Sequence, residues 1–141
     1  MRILWTDGSA SPNPGPGGFA VIEGSKPVAL GKEPHTTNIR MEGLALIAAL
    51  ELVDGEDAEI HTDSEFWINV LTKWADGWAE RGWKKSTKGE IQNLDIVKRL
   101  HAIYQKNKHN VELKWVRGHI GVEMNEIADE WANKARKGAT I

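Results

Sequence analysis

"ILWTDGSASPNPGPGG", residues 3–18, opens on a short apolar run, carries one carboxylate at Asp7, and then breaks into Pro and Gly. The apolar run, extended back to Arg2, reads as a strand over 2–6, and "SPNPGPGG" reads as a loop. That loop lacks the Lys-Ser/Thr ending of a phosphate-cradling P-loop, and no helical pattern follows it. Asp7 therefore stands where a buried strand is expected to run out. A carboxylate there needs a partner or a task, because a charge withdrawn from water is costly. One role is local: an Asx-turn closing the strand. The other depends on what the rest of the chain brings to the same place.

Beyond the loop, "FAVIEG" (19–24) and "KPVALGK" (26–32) read as two further strands of a meander. "MEGLALIAALELV" (41–53) spaces apolar residues at 44, 46, 47, 50 and 53 among strong helix formers, which predicts a helix. "AEIHT" (58–62) predicts a strand, and "DSEFWINVLTKW" (63–74) a helix opened by an Asp-Ser capping pair. "ADGWAERGWKKSTKGE" (75–90) is basic and Gly-punctuated, predicting a short helix and a protruding loop. "NLDIVKRLHAIYQKN" (93–107) returns to helical period with Asn93 as its N-cap. "NVELKWVRG" (110–118) predicts a strand, "HIGV" a loop, and "EMNEIADEWANKARK" (123–137) a terminal helix. The order βββαβααβα implies an α/β fold, with a five-stranded mixed sheet and helices on both faces. The 141 residues suit one domain. Trp5, Trp67, Trp115 and Trp131, lying in predicted strands and helices, are expected in the core.

Composition removes several classes of chemistry. With no Cys, disulfides, thiolate metal sites and thiol nucleophiles are excluded. The five His, at 35, 61, 101, 109 and 119, lack the close pairing of a His-rich zinc site. A metal here would be held by oxygen. No targeting segment or membrane-spanning run is evident, and a cytoplasmic protein is expected. The net charge of −2 conceals a partition: residues 1–80 carry 5 Lys/Arg and 13 Asp/Glu, whereas residues 81–118 carry 10 and 3. A basic block of that kind is either a solvated surface or the footprint of a polyanion. At its start and just ahead of it, Trp74, Trp78 and Trp83 alternate with Lys73, Arg81, Lys84, Lys85 and Lys88. Aromatic faces beside cations grip nucleic-acid backbones, although such tryptophans also pack beneath loops.

Four acids stand at predicted element ends or on the last helix: Asp7, Glu42, Asp63 and Asp129. Glu42 could serve a helix dipole and Asp63 an N-cap. Brought together, the four would repel one another unless a cation lay between them, and hard oxygen ligands suit Mg²⁺ or Mn²⁺. Such sites often hold two ions and catalyse in-line phosphoryl displacement.

In order and spacing, "TDGS", "NPGPGGF", "TTNIRMEGLAL", "HTDSEFW" and "RGHIGVEMNEIADEWA" resemble type 1 ribonuclease H, a resemblance running from about Ile3 to Arg136. It implies the ribonuclease H-like fold and endonucleolytic cleavage of the RNA strand of an RNA–DNA hybrid, leaving 5′-phosphate and 3′-hydroxyl ends. It also implies that Asp7, Glu42, Asp63 and Asp129 hold two Mg²⁺ ions, with Mn²⁺ able to substitute. His119 falls on the family's mobile catalytic histidine. The stretch at about 74–92 resembles the basic protrusion of bacterial members, where Trp74, Trp78, Trp83, Lys84 and Lys85 would help bind DNA. Thr37 and Asn93 match a DNA-phosphate pocket, and Gly8, Ser9, Asn13 and Asn38 match positions near the hybrid's minor groove. Ile39 and Glu65 depart from the family pattern, which often has an amide side chain at the first position and Gln at the second. A monomer acting on the hybrid, with no membrane role and no separate hybrid-binding domain ahead of it, is expected. The alternatives are another nuclease of the same fold, or a non-catalytic hybrid- or dsRNA-binding module.

Overall fold

The computed structural model describes residues 1–85, 89–117 and 123–141. Three antiparallel strands, β1 (Arg2–Ala10), β2 (Gly15–Glu23) and β3 (Lys26–Thr36), form the meander. Helix α1 (Asn38–Val53) follows, and β4 (Ala58–Thr62) returns beside β1 and parallel to it. A helical stretch comprises α2 (Glu65–Asn69), a π-helical turn Val70–Trp74 and α3 (Ala75–Glu80). Helix α4 (Leu94–Asn107), strand β5 (Val111–Trp115), parallel to β4, and helix α5 (Glu123–Arg136) complete the described chain. The sheet order is β3-β2-β1-β4-β5, so the mixed five-stranded sheet expected from the sequence is what forms.

Alternation along β1 sorts the two cores, since successive strand side chains face opposite ways. Leu4 points into the larger core, with Leu46, Leu50, Ile60, Trp67, Val97 and Leu100, between the sheet, α1 and α4. Trp5 points to the other face, where Ala20, Ile22, Ala128 and Ala132 are buried between the sheet and α5. Gly18 on β2 lets α5 approach closely: a Cβ there would overlap the backbone of Ala132 and Arg136. Helices therefore cover both faces.

Several boundaries differ from the sequence reading. β1 runs through Asp7 to Ala10, because the meander partner continues to pair there as far as Gly17. Helix α1 begins at Asn38 rather than residue 41, capped by Thr37, whose Oγ1 accepts from the Arg40 N–H at 3.2 Å. The 63–74 helix is not uniform. The Ala75 N–H reaches back five residues to the Val70 carbonyl, inserting an extra residue into the turn that carries Trp74. Trp115 is not a core residue: it is 52% exposed at the end of the edge strand β5, with its indole N–H donating to the Asp63 carbonyl at 3.3 Å.

Candidate active site

β1 and β4 are paired so that Trp5 lies opposite His61, and the two rings stack with centroids 4.0 Å apart. Two residues further along come Asp7 and Asp63, brought level by the same register. The chain leaves β1 toward β2 on one side and returns as β4 on the other, which makes this a topological switch point, where open α/β sheets place their sites. Glu42 arrives from α1 on the opposite face. Its approach depends on Gly8, where any Cβ would overlap the backbone of Met41 and Glu42. One carboxylate oxygen from each of Asp7, Glu42 and Asp63 lies within 4.8 Å of the others. From α5, the Asp129 carboxyl reaches hydrogen-bonding contact with Asp7.

This packing has an electrostatic cost. Burial, then the charge of Asp63, the hydrogen bond with Asp129 and the charges of Asp129 and Glu42 push the Asp7 carboxyl up to about 9. Burial and Asp63 push Glu42 up to about 8, although a hydrogen bond with Ser64 pulls the other way. Crowded together, the carboxyls hold protons more tightly than free acids do, for want of a countercharge. A divalent cation supplies that charge, and an all-carboxylate donor set fits a hard, oxygen-preferring ion.

The local roles considered for these acids do not hold. Asp7 is within the ladder, opposite Ala20, and closes no turn. Glu42 lies beyond the first turn of α1, too far along for an N-terminal dipole role. Ser64, not Asp63, caps α2, its Oγ accepting from the Trp67 N–H at 3.3 Å. Asn93 occupies the N-cap position of α4 but its side chain makes no capping bond, and its φ of 56° is left-handed. Its Oδ1 instead accepts from the Arg40 guanidinium at 3.3 Å. His119 lies outside the described residues, as does Lys88 of the basic segment.

The remaining candidates fall into three groups. Near the acids, Gly8 is buried beneath α1, Ser9 donates to Asn133 Oδ1 at 3.2 Å, and Asn38 Oδ1 accepts from the Ala10 N–H at 2.6 Å. Asn13 Oδ1 accepts from the Asn38 N–H at 3.2 Å, tying the Pro/Gly loop to the start of α1. Thr37 and Asn93 are both joined to Arg40. In the basic segment, Trp74 and Trp78 lie 6.0 Å apart, lining an open groove with Lys73, Arg81 and Lys85. Trp74 is exposed, whereas Trp78 and Trp83 also pack against the main core. Trp83 meets His101 edge-on at 5.2 Å, and Lys84 is exposed beside it.

The sequence model of the RNase H family matches residues 1–137. The chain belongs to the RNase H family. Among relatives in the family, the Ribonuclease H of Granulibacter bethesdensis is 43% identical over 94% of this chain and 90% of its own length. The Ribonuclease HI of Caulobacter vibrioides is 42% identical over 96% and 93%. The crystal structure of LC9-RNase H1, a type 1 RNase H with the type 2 active-site motif, superposes with a TM-score of 0.78. It is 28% identical, across 99% of this chain and 74% of that one. Two residues of the site region escaped the sequence reading: Ser64, which hydrogen-bonds to Glu42, and Arg40, which links Thr37 to Asn93. Ser64 stood in view in "TDS", and Arg40 two positions before Glu42, but each takes its partner from a distant segment.

Proposed function

We propose that this chain is an endonuclease hydrolysing the RNA strand of RNA–DNA hybrids, with Asp7, Glu42, Asp63 and Asp129 as its metal-holding acids. The observation that carries this reading is the convergence of Asp7, Glu42 and Asp63 within 4.8 Å, in a chain of the RNase H family. Bound there, Mg²⁺ would supply activation of the attacking water and stabilisation of the leaving 3′ oxygen, with 5′-phosphate and 3′-hydroxyl ends as products. The acids would hold that charge just beyond the paired part of β1 and β4, whose register brings Asp7 and Asp63 level. His119 is the side chain suited to move a proton near neutral pH or to assist product departure.

The substrate-side residues divide by strand. Gly8, Ser9, Asn13 and Asn38 would meet the minor groove, where the RNA 2′-hydroxyls are displayed. Thr37 and Asn93 would hold a DNA phosphate. Trp74, Trp78, Trp83, Lys84 and Lys85 would grip the DNA strand further along, supplying affinity that weakens with salt. Acting on hybrids, the protein would work in the cytoplasm as a monomer. No described helix is long and apolar enough to cross a membrane.

The test is incubation with labelled RNA–DNA hybrid, dsRNA and dsDNA, each with Mg²⁺ or EDTA. Cleavage confined to the RNA of the hybrid and abolished by EDTA is the expected result. Cutting of dsDNA would instead indicate another nuclease of this fold, and binding without cleavage a non-catalytic module.

A further inference from the structure

Asn93 is in an anomalous setting. A capping Asn normally has extended backbone and accepts a hydrogen bond from the first turn of its helix. Here φ is 56°, a left-handed conformation uncommon outside glycine, and no capping bond forms. The side chain's oxygen is taken by Arg40 of α1, at 3.3 Å. Arg40 is itself locked in a two-bond fork on Asp95, at 3.0 and 2.7 Å. Its backbone N–H meanwhile occupies an acceptor position on Thr37 Oγ1. One residue therefore engages the acceptor atoms of both Thr37 and Asn93. The capacity this leaves is chiefly donor: the Thr37 hydroxyl hydrogen and the Asn93 Nδ2 hydrogens. Two neutral donors suit a phosphate oxygen, and Asp95 keeps the guanidinium charge paired.

We infer that Arg40 is a positioning residue for the DNA strand: its guanidinium takes the Asn93 oxygen and so leaves the Asn93 amide hydrogens, beside the Thr37 hydroxyl, as donors for one backbone phosphate. The inference rests on the reading of Thr37 and Asn93 as the phosphate pocket. Lysine cannot replace Arg40, because one ammonium lacks the planar fork that holds Asp95 and Asn93 together.

The test uses steady-state hydrolysis of a hybrid whose DNA strand carries one neutral methylphosphonate, moved along the strand. With wild-type protein one linkage should raise KM about tenfold, the loss of a hydrogen-bonded phosphate. Arg40→Met should raise KM for the unmodified hybrid by about tenfold, hold kcat within about twofold, and weaken the response at that linkage, the Thr37 hydroxyl remaining. Arg40→Lys should behave likewise. Arg40→Met combined with Asn93→Ala should be no worse than Asn93→Ala alone, because both remove the same contact. Asn93→Asp keeps the acceptor facing Arg40, so its melting temperature should hold, yet it lacks the donors and should raise KM. Multiplication of the single effects to about 100-fold would refute the inference, since Arg40 would then bind independently. If Asn93→Asp raises KM while Arg40→Met does not, the pocket stands and the role of Arg40 falls. A wild-type KM for Asn93→Asp would overturn the pocket reading and the inference with it.

Discussion

Replacing Asp7 with Asn should abolish cleavage and yet make the metal-free protein more stable. In the folded protein the Asp7 carboxyl is pushed from 3.8 to about 9 by burial first and by its acidic neighbours second. Between those values the folded protein holds a proton that the unfolded chain has released, so raising the pH favours unfolding. At pH 7 the proton uptake costs about 4 kcal/mol, taking about 1.4 kcal/mol per unit of pKa from 3.8 to 7. Asn has no proton to take up. Part of the gain is forfeited because the buried Asn amide must still be taken out of water and find partners among the remaining carboxyls. Allowing half, the net gain is about 2 kcal/mol, or about 7 °C in Tm for a chain of this size.

The assay is thermal unfolding in EDTA across about pH 5 to 9. Wild-type stability should fall as the pH rises through this window. The Asn variant should fall less steeply, its advantage growing from about 1 kcal/mol near pH 5 to about 3 kcal/mol near pH 9. Mg²⁺ at tenfold its Kd should stabilise the wild type by about 1.4 kcal/mol and the variant by less. An Asn variant that melts at or below the wild-type temperature in EDTA at pH 7 would refute the account of mutual repulsion.

Gly8→Ala should lower stability by about 1–3 kcal/mol, the cost of forcing a methyl against the backbone of Met41 and Glu42, and should reduce kcat by shifting Glu42; urea unfolding and turnover at saturating hybrid test both. Charge reversal at Lys84 and Lys85 should raise KM and flatten its dependence on salt by about 0.7–0.9 in log–log slope per lost phosphate contact, leaving saturated turnover little changed. Ile39 and Glu65 are both exposed, so Ile39→Asn with Glu65→Gln should lower KM for the hybrid by about tenfold at one fixed salt concentration, without altering kcat. An unchanged KM would mean that these side chains do not meet the hybrid.

Hydrophobic period and turn chemistry are local properties, and they were enough to place the five strands, the long helices and the mixed sheet. The four acids could be picked out for the same reason that a buried charge is costly wherever it stands. What the sequence by itself left open was which role each acid takes. On local grounds alone, Asp7 fits a turn-closing role and Asp63 a helix cap equally well. The register of β1 against β4 decides otherwise, by setting Asp7 and Asp63 side by side, and the bare face of Gly8 admits Glu42 from the other layer. Asn93 shows the same division. Its place before a helical run predicts a cap, but an arginine more than fifty positions away claims its side chain. Trp115 looked like core because strands usually bury aromatic residues, whereas its position at the end of the edge strand leaves it half exposed. Local pattern fixes what each segment becomes. Contacts between distant segments depend on the way layers stack, and only the tertiary structure contains that.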